Sequence, residues 1–394
     1  MDDRSSPARQ SIAEFDAEQP HALWRTLRGT CPVSRIVDRG ETARPTYIVS
    51  TWAGVKQVLL DPATFSSSIN AEGTARFMGP VLLGMDGERH RSRRLLISHA
   101  FRTAQLGKWE EMLIRPIITR LCDEIVPRGS AELMEEVISR FPVQVICGMC
   151  AIPAKDSPRF LQWAKDIHRG MRDKETGRAA AEAMRAYLEP LVEARRNQRG
   201  DDLISDIVHA EVDGERLDDE EIYGFLRLLL PAGSESTYRA TGNALLAILS
   251  TPGLYGRVMQ DRSSLPSIVE ETLRWDVSNS MVSRVATRAV TIEGCPVPAG
   301  AALRVVTNSA NRDENRFSDA DLFDVDRQAK PHVGFGLGPH QCLGQPLARM
   351  EMRVGLDVML SKLTHLRLDP GYPVPVIAGA SFRGPEFMHV LFGG

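Results

Sequence analysis

Apolar positions recur at helical spacing through most of the middle of the chain, from about Arg89 to Arg274. Ahead of that stretch the pattern is shorter and more broken. Thr46 to Val49 predicts a strand, and Trp52 to Leu60 predicts a helix that Asp61-Pro62 stops. The strongest element runs from about Asp219 to Thr251, which at 1.5 Å per residue is roughly 50 Å of helix. Asp218 followed by Glu221 forms a variant of the capping box at its start, and Pro252 marks its stop. Pro231 and Gly233 fall in its middle. A mid-helix proline removes an amide donor and crowds the preceding turn, so a distortion is predicted there.

After Arg274 the texture changes. Glycine and proline rise, and Leu303 to Thr307 reads as a strand. Leu343 to Leu360 reads as a last helix with Leu343, Leu347, Met350 and Val354 on one face, and Val374 to Phe392 as short strands and turns. The pattern predicts a mainly α fold with a small β-rich portion. No linker interrupts it, so a single domain over residues 1–394 is expected. One loop stands out. Asn70 to Gly84 mixes glycines with Phe77, Met78, Val81, Leu82 and Leu83, and such an apolar load in a loop points to a ligand rather than to water.

Composition narrows the classes. With 394 residues, 43% of them hydrophobic, and a net charge of -3, the chain can bury a large core and lacks the basic balance of a nucleic-acid binder. Met1 to Pro20 is polar, and no later stretch approaches the ~18 uninterrupted apolar residues of a membrane span. A cytoplasmic protein without membrane anchor is expected. The six cysteines are scattered, which argues against a disulfide framework. Cys147 and Cys150 form a C-x-x-C inside an apolar helical run with no second ligand pair, so both read as core filler.

The richest stretch is Phe335-Gly336-Leu337-Gly338-Pro339-His340-Gln341-Cys342-Leu343-Gly344. It is a glycine-rich loop that ends in a cysteine at a helix start, where amide groups and the helix dipole favour a thiolate. The glycines do not fit a dinucleotide loop, and no βαβ unit surrounds them. The stretch resembles the cysteine loop of the cytochrome P450 family, F-x-x-G-x-x-x-C-x-G, at every fixed position. The resemblance implies that Cys342 is the thiolate ligand of a haem iron, the haem being haem b (iron protoporphyrin IX). A thiolate there pushes electron density toward iron and favours O–O cleavage. Phe335, Gly336, His340 and Gly344 are then contacts of the cofactor.

Three further matches follow in family order. Glu271-Thr272-Leu273-Arg274 resembles the structural E-x-x-R pair, with Asn311-Arg312-Asp313 and the run Phe323 to Arg327 in the places of its partners. Ala232-Gly233-Ser234-Glu235-Ser236-Thr237 resembles the oxygen-activating motif. Ala232 and Gly233 would leave room over the haem, and Glu235 and Ser236 would hold and deliver protons. Serine stands at Ser236 where the family commonly has threonine, so the hydroxyl is kept and its rotamer is less fixed. His90, Arg94, Arg284 and His332 match the family's propionate anchors, since a dianion in an apolar slot needs cationic donors.

The resemblance implies a monooxygenase that inserts one atom of O2 into a small lipophilic substrate, with a ferredoxin- or flavodoxin-type donor and its reductase supplying electrons. Arg91, Arg93, Arg102, Arg349 and Arg353 could form a basic docking face for such a donor, or be ordinary solvated arginines. A monomer is expected. The pocket candidates are Phe77, Met78, Val81, Leu82, Asn279, Met281, Val282 and Phe382, with Asn279 as a hydrogen-bonding point. A haem-based sensor or carrier without turnover is the reading from another class. It would need neither Glu235 and Ser236 nor an apolar roof.

Overall fold

The computed structural model describes residues 19–36, 44–98, 101, 103–170, 173–328 and 331–393. Its axle is the helix Asp219–Ser250. The predicted cap closes it. The Asp218 carboxylate accepts from the Glu221 amide at 2.8 Å, and the Asp218 amide donates back to the Glu221 carboxylate at 3.2 Å. The helices Arg140–Met149, Leu265–Trp275 and Gln345–Lys362 pack on it. Leu226, Leu230, Leu245 and Ile248 of the axle join Ile146, Leu273, Leu347 and Met352 in one hydrophobic core.

Pro231 does not interrupt this helix, which runs unbroken from Asp219 to Ser250. A central proline costs ~3 kcal/mol in helix propensity, but Leu229, Leu230 and Pro231 itself are buried against neighbouring elements. Hydroxyls also turn back on the preceding turn. Ser234 donates to the Leu230 carbonyl at 2.7 Å, Ser236 to Ala232 at 2.8 Å and Thr241 to Thr237 at 2.9 Å. Packing thus carries the helix through the proline at which sequence predicts a distortion.

A smaller β-rich layer lies beside the helices. Its main sheet has the strand order Val33–Ile36, Thr46–Val49, Ala302–Val305, Val282–Ala286, Phe65–Ser66. Only the Thr46–Val49 and Ala302–Val305 pair is parallel. The sheet carries its own core of Val33, Val49, Val55, Leu303, Val305 and Val333. The last of these residues opens the cysteine loop, which ties the loop to the sheet. The fold is therefore mainly α with a small β portion, as the pattern predicts.

Between the helix Trp52–Leu60 and the helix Gly87–Ser98 the chain adds the edge strand Phe65–Ser66 and then makes short turns at Ile69–Glu72, Thr74–Phe77 and Leu82–Gly84. The Asn70 amide donates to the Leu83 carbonyl at 3.2 Å and reaches the Ser283 carbonyl at 3.5 Å, which binds this loop to a sheet strand. Burial pushes the Cys147 thiol up to about 12 and Cys150 higher still, so both are neutral core groups. Among the described residues no helix is long and apolar enough to cross a membrane, and no cluster of three His, Cys, Asp or Glu residues is placed to hold a metal.

Candidate active site

The cysteine loop is fixed by its own backbone. The Gly336 amide donates to Val333 at 2.9 Å, Gln341 to Gly338 at 3.0 Å and Cys342 to Phe335 at 2.9 Å. Gly338 has φ +70°, and a Cβ there would stand 2.5 Å from the Leu59 carbonyl oxygen, so only glycine lets the loop approach the helix Trp52–Leu60. Gly344 then caps the helix Gln345–Lys362. The Cys342 sulfur lies deep in the fold yet is uncovered, as it would be on the wall of an internal slot. Burial raises its pKa. The amides of Gly344 and Gln345 and the charges of Arg94 and Arg349 oppose that rise.

Positive groups gather next to this loop. Arg94 donates to the Gln341 carbonyl at 2.6 Å, and the buried Arg284 donates to the Ser283 carbonyl at 2.7 Å. The buried His90 ring lies 4.0 Å from the His340 ring, and His340 Nε2 is 3.1 Å from Asp86. Burial, with Arg94 and Arg284 nearby, lowers the His90 pKa, and burial, His90 and Arg284 hold His340 at about 4. Asp86 is the carboxylate of this group, and it also accepts from Ser66 at 2.6 Å and the Ser67 amide at 2.9 Å. The buried Arg284 shares the single carboxylate of Asp86 with the two histidines, the half-buried Arg94 lies beside them, and cations so placed favour a further anion. The pair of propionates on a haem fits that preference, and an uncovered thiol beside them fits its iron.

His332 is not brought to this cluster. Its Nε2 meets Glu270 at 3.1 Å, and its Nδ1 accepts from the Gly334 amide at 3.0 Å. It lies with Glu270, Phe335 and Arg349 on an outer groove of about 590 Å³. Glu270 draws it there, while His340, also expected at the cofactor, lies beside Arg284 and His90. Neither Glu270 nor Asp86 stood out in the sequence, because single carboxylates beside arginines are common on helices. The i, i+4 spacing of Asp86 and His90 was the one available signal.

The E-x-x-R pair behaves as the resemblance implies. Arg274 meets Glu271 at 2.6 Å and donates to the carbonyls of Asn311, Ala320 and Leu322 at 3.0, 2.7 and 2.9 Å. Glu271 also receives Arg327 at 3.3 Å, and Asn311 Nδ2 donates to Leu273 at 3.2 Å. This knot joins the helix Leu265–Trp275 to the strand-rich layer and so to the cysteine loop, since Asn311 Oδ1 accepts from the Val333 amide at 2.8 Å.

The axle shows one uncovered stripe. Leu228 and Ser236 are half-buried and Ala232 is exposed, at i, i+4 and i+8, while their neighbours Leu229, Leu230 and Pro231 are buried. Gly233 packs the other way, and a Cβ there would come 2.9 Å from Ile146. Glu235 pairs with Arg239 one turn on, at 3.1 Å. Ser278 donates to the Ser236 carbonyl at 2.7 Å, which draws the next segment against the stripe. In that segment Asn279 bridges Phe382, and its carbonyl accepts from Thr307 at 3.1 Å. Asn279, Met281, Val282 and Phe382 are all half-buried. Met78 and Val81 are buried in the core and Leu82 is half-buried, while Phe77 fills the crossing where Gly170 and Gly177 meet.

The expected basic face is largely compensated. Arg93 meets Glu221 at 3.0 Å and Glu215 at 2.5 Å, Arg349 meets Glu270 at 2.5 Å, and Arg353 meets Glu110 at 2.6 Å. Arg91 has Glu88 at 3.5 Å, and Arg102 lies outside the described residues.

A helical fold that presents one uncovered thiol from a glycine loop at a helix start, with Arg94 and Arg284 beside it, has the features of a haem-thiolate protein. The comparisons with known proteins agree. The model of the family described as Cytochrome P450 matches residues 18–376. The chain is 32% identical over 388 residues to the cyclomarin C epoxidase CymV of Salinispora arenicola, covering 94% of this chain and 95% of that one. It is 31% identical to a steroid C26-monooxygenase of Mycolicibacterium smegmatis, over 94% and 92% of the two lengths. The solved structure of CYP109Q5 from Chondromyces apiculatus superposes with a TM-score of 0.89 at 31% identity, covering 98% of each chain. This chain belongs to the cytochrome P450 family and is a haem-thiolate monooxygenase.

Proposed function

We propose that the chain, as a single domain over residues 1–394, binds haem b with Cys342 as the thiolate ligand and Arg94, Arg284, His90 and His340 around the propionates. We propose further that it oxygenates a small lipophilic substrate in the cytoplasm as a monomer, with electrons from a ferredoxin- or flavodoxin-type donor and its reductase. The observation that carries this reading is the uncovered Cys342 sulfur beside the buried Arg284 and the half-buried Arg94, each donating to a backbone carbonyl. When bound, the haem supplies the iron at which O2 is reduced and split.

The residues of this chain do the rest. Cys342 is offered by a loop tied by its own backbone hydrogen bonds, so the sulfur arrives pre-placed. Ala232 keeps side-chain bulk off the stripe of the axle. Ser236 holds its hydroxyl on the Ala232 carbonyl, from which it can turn to hold water. Glu235, tethered by Arg239, is the carboxyl that can relay a proton inward. Met281, Val282, Leu82 and Phe382 support an apolar pocket wall, and Asn279 adds one polar point whose side chain is half-buried. A relative named for a steroid is consistent with a lipophilic substrate. Among the described residues every cysteine is a free thiol, which suits a reducing compartment.

The test is the absorption spectrum of the reduced protein with carbon monoxide. A band near 450 nm in the wild type, lost or moved in Cys342→Ser, is the expected result. A haem-loaded wild type without that band would overturn the thiolate assignment.

A further inference from the structure

We propose that Arg349 is a positioning residue for the Cys342 thiolate: clamped between the Glu270 carboxylate and the Phe335 ring, it braces the cysteine loop from its outer side and sets the electron density at the sulfur.

The geometry is a brace with three contacts, at Glu270 on a neighbouring helix, at Phe335 on the loop and at Gln345 just past the cysteine. Arg349 Nε is 2.5 Å from one Glu270 oxygen and Nη2 is 3.1 Å from the other, a two-oxygen pairing that fixes the guanidinium plane. That plane lies 4.6 Å over the centre of the Phe335 ring, the residue whose carbonyl accepts from the Cys342 amide. Arg349 Nη1 donates to the Gln345 side chain at 3.0 Å, just past the cysteine. Glu270 also receives His332 Nε2 at 3.1 Å. Because His332 Nδ1 accepts from the Gly334 amide at 3.0 Å, the ring carries its proton on Nε2 and donates it to Glu270. One carboxylate on the helix Leu265–Trp275 therefore reaches both flanks of the loop, through His332 before the cysteine and through Arg349 after it.

The charges matter as well as the contacts. His332 and Arg349 hold the Glu270 carboxyl at about 2, so the acid is fully ionised and the pair is nearly neutral as a unit. The Arg349 cation sits against Phe335, whose carbonyl holds the Cys342 amide, and so bears its charge beside the stretch of loop that carries the sulfur. Reduction of the bound iron adds negative charge to the same region, so a cation there favours the reduced form and an anion opposes it. Removing Arg349 leaves an uncompensated carboxylate near the sulfur. Removing the charge of Glu270 leaves an uncompensated guanidinium. The two losses should move the reduction potential in opposite directions, whereas simple loosening of the loop would move it the same way in both.

The inference rests on the haem-thiolate reading, so the experiment first requires the 450 nm band in the wild type. Reduction potentials would then be measured by spectroelectrochemical titration for wild type, Arg349→Ala, Arg349→Lys and Glu270→Gln. We expect a more negative potential in Arg349→Ala and a more positive one in Glu270→Gln. Arg349→Lys keeps the charge but loses the flat two-oxygen fork, so its potential should stay near the wild type. Its carbon monoxide complex should nevertheless convert from the 450 nm to the 420 nm form roughly tenfold faster, since the ring stack and one hydrogen bond are lost. Should Arg349→Ala not take up haem, the other two variants decide the matter. Unshifted potentials, or shifts of one sign in both charge variants, would overturn the proposal. A wild type without the band would instead overturn the reading beneath it.

Discussion

At the scale of single residues, the chemistry of the site turns on a few side chains whose roles differ by one group each. Ser236 keeps the hydroxyl of the family motif and donates it to Ala232 at 2.8 Å. Without a β-methyl it chooses rotamers more freely than threonine. Ser236→Ala is therefore expected to lower product formed per electron pair, with hydrogen peroxide released in its place, and Ser236→Thr to match or exceed the wild type. The ratio of product to reductant consumed checks both. Glu235→Gln removes the relay carboxyl and leaves Arg239 unpaired in this contact, and turnover should fall by about 10²-fold with a larger solvent isotope effect. Asn279→Ala removes one hydrogen-bonding point from the pocket wall. Binding of oxygenated ligands should weaken by roughly fivefold, the worth of one neutral hydrogen bond, while purely hydrocarbon ligands bind unchanged. Soret-shift titration separates these outcomes, and equal affinities for both ligand types would remove Asn279 from the pocket. Sequence located these residues because motif spacing is local. It misassigned His332 because the competitor that captures it, Glu270, comes from a helix 62 positions away.

At the scale of elements, what was legible depended on how local the determining physics is. The strand Thr46–Val49 and the helix Trp52–Leu60 match their predicted bounds, because a cap at Thr51 and a proline stop act within a few residues. The long helix ends at Ser250, one residue short of expectation, for the same reason. The distortion expected at Pro231 did not break the helix, since what carries it through is burial on several sides, and that is invisible in a linear pattern. The three turns inside the loop from Asn70 to Gly84 were not anticipated either, because three- or four-residue turns have no periodicity to read. Two glycines show how element packing sets tolerance. A Cβ at Gly233 would meet the flexible tip of Ile146 at 2.9 Å, so Gly233→Ala should cost only ~1 kcal/mol as Ile146 rotates away. A Cβ at Gly338 would meet the Leu59 carbonyl at 2.5 Å with the backbone in the left-handed region. There the loop itself must move, adding to the ~1–2 kcal/mol that alanine costs in that conformation. Gly338→Ala should therefore shed haem on dilution where Gly233→Ala retains it, as the Soret absorbance after gel filtration would show.

At the scale of the whole molecule, two charge arrangements connect distant parts of the chain. The buried Asp276 joins His21 near the start at 2.9 Å, Arg383 near the end at 2.8 Å and Asn308 between them at 2.9 Å. Burial raises the Asp276 pKa, but His21 and Arg383 more than offset that and leave it well below the usual carboxylate range. Burial lowers His21. Both groups bind protons less readily folded than unfolded, so both contribute stability that is present above their unfolded pKa and lost as pH falls. Acid unfolding should begin below ~6.5 with His21 and steepen below ~4 with Asp276. Asp276→Asn, which removes the carboxylate charge that the buried Arg383 meets at 2.8 Å, should cost about 3–5 kcal/mol in denaturant titration. The second arrangement bears on electron supply. Sequence left open a basic docking face or ordinary solvated arginines, and Arg93, Arg349 and Arg353 each close on a carboxylate. The exposed Leu60 borders the cysteine loop at Gly338. Compensated charges leave little long-range field, whereas apolar contact is indifferent to salt. The rate of first electron transfer from a ferredoxin-type donor should accordingly change by less than roughly twofold between low and high salt. A fall of about an order of magnitude or more over that range would mean that the donor docks on a basic patch after all, and that these ion pairs open when it binds.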